Sequence, residues 1–187
     1  MKIEQTRWTS AEGWDNEEPG YSSLQADLVL VFGDKSLLQE NQLIAQIRTA
    51  YTDALITGCS TAGEICGTRV TDNSLVVTAI QFEHTTAHSS MVKVDNAENS
   101  YRSGKELAQS IPHDNLAHVF VLSDGLNVNG SELVAGLTDH LPKNLTVTGG
   151  LSGDGDRFEN TVVLWEDTAQ TNSIVLVVSV IAAGLEG

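Results

Sequence analysis

Runs of apolar residues alternate with polar, glycine-bearing stretches along the chain, and their periods predict the elements. Ala26 to Phe32 (ADLVLVF) is continuous, β-branched and bounded by Gly33 and Asp34, which predicts a strand buried on both faces. Leu37, Leu38, Leu43, Ile44, Ile47 and Tyr51 then recur at helical spacing, with Asp34 placed to cap the helix start. A strand at Ala54 to Cys59 leads into a loop, STAGEICGTRVTDN. Two β-rich runs follow, Ser74 to Phe82 and Ala87 to Val94, and read as an antiparallel meander. A second helix, capped by Asn99 or Ser100, aligns Tyr101, Leu107 and Ile111 on one face before Pro112 stops it.

The same order then returns. His118 to Leu122 is a buried strand, SDGLNVNG a polar loop, and Ser131 to Leu141 a helix with Leu133, Val134, Leu137 and Leu141 on one stripe. Leu145 to Gly149 is a strand running into GGLSGDGD, and β-runs at Asn160 to Trp165 and Ile174 to Ala182 close the chain. ADLVLVFGD, helix, ALITGCSTAGE thus matches AHVFVLSDG, helix, LTVTGGLSGDG, with Gly33 and Gly58 each about 91 to 92 residues ahead of their counterparts. The expected fold class is α/β: a layered fold with mixed parallel and antiparallel sheets and an internal pseudo-twofold duplication. Residues 1–25 form a polar N-terminal lead-in, and residues 26–187 form one domain of two pseudo-repeats, about 26–95 and 117–183.

Composition narrows the partners. At 187 residues with a hydrophobic share of 41%, the chain can bury one substantial core. Asp and Glu total 25 against 10 Lys and Arg, a formal net charge of -15, so nucleic acid and anionic membrane surfaces are disfavoured as partners. The opening MKIEQTRWTS lacks the apolar core of a secretory signal, and no apolar run is long enough for a membrane helix, which predicts a cytoplasmic location. Two cysteines, Cys59 and Cys66, are too few for a disulfide framework, and no CxxC accompanies them.

Candidate chemistry lies in three glycine loops at strand ends, where backbone N–H groups can approach a ligand closely. From GCSTAGEICG come Cys59, Ser60, Thr61, Gly63 and Glu64; from SDGLNVNG, Asp124, Asn127 and Asn129; from GGLSGDG, Gly149, Gly150, Ser152 and Asp154. The first and third loops are expected to face each other, with Glu64 lining a pocket opposite GGLSGDG. Sharper motifs are missing: GCSTAG is not the G-x-S-x-G of a nucleophile elbow, and neither a Walker sequence nor GxGxxG occurs. No catalytic residue and no metal ligand is therefore expected. His84 and His88 sit four apart in a β-rich run, which would separate them by roughly 13 Å.

At these loops the sequence resembles the FIST N-terminal domain family, a sensory domain of signal-transduction proteins. The resemblance rests on ITGCSTAGEI, VLSDGLNVNGSELVAGL and VTGGLSGDGDRFENTVV, in that order, and covers Ala26 to Ala182. It implies small-molecule sensing, with amino acids as the proposed ligand class, and members resembling it bind haem through a histidine and report nitric oxide. It also implies a FIST C-terminal domain or signalling output protein as partner, absent after the last strand here, so the chain is either a piece of a longer protein or a stand-alone half. The leading reading is a sensor for an amino-acid-like ligand, in which glycine-loop N–H groups take a carboxylate and Glu64, Asp124 or Asp154 takes an ammonium. No cofactor is expected under it. A haem sensor and a hydrolase using Ser60 or Cys59 are the alternatives.

Overall fold

The computed structural model describes residues 1–15 and 17–181. In chain order, the strands β1 (Lys2–Thr9), β2 (Gly13–Trp14) and β3 (Leu28–Gly33) precede the helices α1 (Lys35–Leu38) and α2 (Asn41–Ala50). Next come β4 (Leu55–Ser60), a hairpin of β5 (Glu64–Cys66) and β6 (Arg69–Thr71), β7 (Ser74–Gln81) and β8 (Thr85–Lys93). Helix α3 (Ser100–Gln109), β9 (Leu116–Ser123), α4 (Gly130–Thr138) and β10 (Thr146–Leu151) follow. The chain closes with β11 (Val163–Trp165), β12 (Thr168–Gln170) and β13 (Ser173–Ile181).

The strands form a seven-stranded sheet, ordered β12-β11-β4-β3-β7-β1-β2, and a four-stranded sheet, ordered β10-β9-β13-β8. Continuous apolar runs feed both faces of the central strands, as the sequence predicts. Val29 and Val31 of β3 pack with Ile44, Ile47 and Tyr51 of the first helical layer. Their neighbours Leu28, Leu30 and Phe32 turn to the opposite face and meet Leu122, Val175 and Val177 of the second sheet. In that sheet Val119, Val121, Ile174 and Leu176 face Leu107, Leu133 and Leu137 of α3 and α4. The alternation of strand side chains thus stacks four layers, helix, sheet, sheet, helix. Each fully buried Val, Leu or Ile stabilises by about 1.5–3 kcal/mol.

One pairing pattern occurs in both sheets. β3 is parallel to β4 and antiparallel to β7, which is antiparallel to β1. Likewise β9 is parallel to β10 and antiparallel to β13, which is antiparallel to β8. The register agrees in detail: Val31 lies opposite Gly58, and Val121 opposite Gly149. A Cβ on Gly58 would sit 1.7 Å from the Val31 carbonyl oxygen, and one on Gly149 1.8 Å from that of Val121, so each parallel pair admits only glycine there.

Several expectations need correction. Ser74 to Phe82 and Ala87 to Val94 do not form a meander, because the chain changes sheets between Gln81 and Thr85 and β8 pairs with β13 instead. The N-terminal lead-in is not outside the fold. β1 pairs along its whole length with β7 and occupies the place that β8 takes in the other sheet, so the repeat bounds 26–95 and 117–183 do not coincide with the sheets. Its inward residues are Glu4 and Thr6 while Ile3 is 55% exposed, the reverse of the usual pattern. Glu4 is satisfied there by the N–H groups of Gly20 and Ser22 and the hydroxyls of Ser22 and Tyr51. The first predicted helix breaks at Gln39 and Glu40 into α1 and α2, with Asp34 capping as expected by accepting from the Ser36 N–H at 2.8 Å. Val134, placed on the buried stripe of α4, is 45% exposed. Ala182, assigned to the last strand, lies outside the described residues.

Candidate functional site

The carboxyl ends of the two parallel pairs are built alike and meet. Gly33 O accepts from the Thr61 N–H at 3.1 Å, and Ser123 O accepts from the Ser152 N–H at 2.8 Å. An aspartate follows each first strand: the Asp34 N–H donates to Ser74 O at 3.0 Å, the Asp124 N–H to Ser173 O at 2.9 Å. The Gly153 N–H donates to Ser60 O at 2.7 Å, which joins the GCSTAGE loop to the GGLSGDG loop.

Around this junction the predicted residues divide by role. Cys59 is buried in the layer between the sheets, and burial pushes its thiol up to about 12. Ser60 is fully buried and its Oγ accepts from the Val162 N–H at 3.1 Å. Both are buried, and among the described residues neither is hydrogen-bonded to a base that would activate it as a nucleophile. The Ser152 hydroxyl donates to Ser123 O at 2.7 Å. Asp124 accepts from the N–H groups of Leu126 (2.9 Å) and Asn127 (2.7 Å), and from the Thr161 hydroxyl at 2.9 Å. Asn127 links Asp124 to Asn172, and Asn129 caps α4. Gly149 and Gly150 border a separate groove beside α4.

Thr61, Gly63 and Glu64 line a cavity of about 580 Å³ whose opposite wall is Gly155 to Phe158, the continuation of the GGLSGDG loop. Asp34, Asp72 and Asn73 complete it. Glu64 is 2% exposed, and its carboxylate accepts from the hydroxyls of Thr61 (2.6 Å) and Ser74 (2.7 Å) and from the Ser74 N–H at 3.3 Å. It braces the wall of the cavity, with its acceptor capacity turned into the protein.

Beneath the opposite wall lies an ion network absent from the sequence reading. Asp154 accepts from Lys35 Nζ at 3.1 Å, Arg157 Nε at 2.9 Å, and the N–H groups of Glu159 (3.1 Å) and Asn160 (3.2 Å). Burial alone would raise its carboxyl, but the hydrogen bonds from Lys35 and Arg157 hold it well below the usual carboxylate range. The Nη2 of Arg157 also donates to Asp34 at 3.0 Å, which ties the loop to the end of β3. Burial opposes ionisation of Asp34 too, and its bonds from Ser36 and Arg157 outweigh it. Arg157 is the cation of the cavity lining, 41% exposed among Asp34, Asp72 and Asp156.

None of the five histidines borders this cavity or the groove beside α4, so neither offers a histidine as an axial ligand. Among the described residues, no three His, Cys, Asp or Glu side chains gather as a metal site.

A family model, that of the FIST N domain, matches residues 27–183, a span that takes in both GCSTAGE and GGLSGDGDRFEN. The chain belongs to the FIST N domain family. FIST N domains are sensory domains of signal-transduction proteins, and that is the role this chain carries. Comparison with curated protein sequences finds no match. Among its described residues, no helix of this FIST N domain is long and apolar enough to cross a membrane. The sequence reading named Thr61, Gly63 and Glu64 on one wall, but its candidates Gly149, Gly150, Ser152 and Asp154 lie off the other, which GGLSGDG meets only at Gly155, and it missed Arg157, Lys35 and Asp72. Arg157 had a usable signal, since a basic residue inside GGLSGDGDRFEN stands out in a chain with only 10 Lys and Arg.

Proposed function

We propose that this FIST N domain senses an amino-acid-like molecule in the cavity between Thr61–Glu64 and Gly155–Phe158 and does not act as a catalyst. Arg157 takes the ligand carboxylate, and Asp72 and Asp156 take the ammonium. The observation that carries this reading is the state of Arg157. Two of its nitrogens are fixed by Asp154 and Asp34, so its remaining donors are held in place at the cavity, where a planar fork matches a carboxylate. Glu64 and Asp154 position the walls, and Asp124 holds the loop before α4, since their oxygens are already engaged. A ligand joining Arg157 to Asp72 would clamp the loop after β10 to the turn between β6 and β7. That is a movement a FIST C-terminal domain or output protein in the cytoplasm could read.

The test is a thermal-shift screen of amino acids followed by calorimetry. A true ligand at a hundred times its dissociation constant stabilises the fold by about 2.7 kcal/mol. Asp72→Asn and Asp156→Asn should keep the melting temperature without ligand and weaken binding at least about fivefold each. Stabilisation by no amino acid, or affinity unchanged in both variants, overturns the reading.

A further inference from the structure

β10 and β4 hold the same place in their sheets, yet their outer edges differ. β4 carries the β11–β12 hairpin: β11 runs antiparallel to it with Leu164 opposite Gly58 and Trp165 opposite Thr57. Leu164 is thereby fully buried against the first helical layer. β10 pairs only with β9 among the described residues, and its outer edge, TVTGGL, has no lysine, proline or other charge of the kind that protects free edges. Beside it runs a groove of about 770 Å³ bordered by Val134, Val147 and Leu151, with Val134 45% and Leu151 51% exposed.

The counterpart of β11–β12 in the first half is β5–β6. Ile65 lies opposite Val70 as Leu164 lies opposite Ala169, and each hairpin leads into a turn with an asparagine at positive φ, Asn73 at 52° and Asn172 at 50°. In β5–β6, however, these apolar residues face outward, Ile65 68% and Val70 70% exposed. Connection length explains the difference. Residues 152–162, eleven in all, carry the chain from β10 across to the edge of β4, whereas only residues 61–63 join β4 to β5. Three residues span at most about 11 Å, too short to cross from one sheet to the far edge of the other. The chain therefore contains a hairpin that rests on β7 and β1 with its apolar face, Ile65 and Val70, uncovered, and a free strand edge without a hairpin.

We propose that the β5–β6 hairpin of a second copy of this chain occupies the groove, adding β5 antiparallel to β10 with Ile65 opposite Gly149 and Cys66 opposite Thr148. The pairing reproduces that of Leu164 with Gly58 and of Trp165 with Thr57. The net charge of -15 on each copy opposes it at long range, so association strengthens as salt is added.

The register supplies its own probe. Opposite residues of an antiparallel pair lie within disulfide reach, so Thr148→Cys should form an intermolecular disulfide with the native Cys66 under mild oxidation. The bond should vanish when Cys66→Ser is added. Sedimentation velocity of the unmodified chain should show concentration-dependent association that Val70→Asp weakens at least about tenfold, with its melting temperature unchanged because Val70 is exposed. A Thr148→Cys protein that stays monomeric on oxidation overturns the proposal. So does cross-linking that persists with Cys66→Ser, which would mean β10 pairs with β10, and so does association indifferent to Val70→Asp.

Discussion

Asp154→Asn probes the network that holds the cavity wall. The side chain is 1% exposed and accepts four hydrogen bonds, two of them from the cations Lys35 and Arg157. Asparagine keeps the shape, but removes the charge and turns an N–H₂ group toward donors on one side. Removing one partner of a buried ion pair costs about 3–5 kcal/mol. Lys35 is 15% and Arg157 41% exposed, so water recovers part of what the cations lose, and we expect the lower end, about 3 kcal/mol. At about 2–4 °C per kcal/mol for a domain of this size, the melting temperature should fall by about 6–12 °C at pH 7. The pH dependence follows from the sign of the shift. The folded carboxyl titrates below its unfolded value of about 3.9, so its contribution is complete above that pH and is lost as pH falls through the folded value. The gap between wild type and Asp154→Asn, measured by calorimetry, should therefore narrow below about pH 4. A gap under about 2 °C at pH 7, or one that is as wide at pH 3 as at pH 7, would show that the Asp154 charge does not hold the wall.

Other substitutions test separate parts of the structure. Gly149→Ala should destabilise by about 3 kcal/mol or more, because the new methyl meets the Val121 carbonyl, whereas Gly150→Ala next to it has open space and should change stability by less than about 1 kcal/mol. Denaturant unfolding of the pair separates the two. Glu64→Gln should cost about 1.5–3 kcal/mol by placing a donor against Thr61 or Ser74, and chemical denaturation that shows no loss would return Glu64 to the ligand side of the cavity. In the native protein a thiol reagent at pH 8 should label Cys66 quickly and Cys59 only on unfolding, as burial and a thiol pKa near 12 keep Cys59 inert.

The sequence made most of the central strands legible because strands buried on both faces are continuous apolar runs, as in β3, β9 and β13. β1 escaped because its inward positions are Glu4 and Thr6, whose burial depends on donors from Gly20, Ser22 and Tyr51 that no local pattern announces. The partner of β8 escaped for a similar reason: two β-runs four residues apart, Ser74 to Phe82 and Ala87 to Val94, suggest a hairpin, and only the distant β13 reveals the change of sheet. At the candidate site, the glycine loop after β4 pointed to one cavity wall, and GGLSGDG reached the other only at Gly155. What it could not convey was the division of labour among carboxylates. Glu64 and Asp154 are consumed by Ser74, Lys35 and Arg157, contacts set by tertiary approach, while Asp72 and Asp156 remain at the cavity.

The crossing of β11 and β8 between halves also governs when the protein can finish folding. β4 gains its outer neighbour only when residues 163–170 have been made, and β8 has no partner until β13 arrives at residues 173–181. During synthesis the first sheet must therefore wait, one edge bare, until residues 163–170 have left the ribosome. A cut between residues 95 and 115 would yield two fragments that each lack strands held by the other. Such fragments should be poorly soluble alone and should regain structure only when mixed.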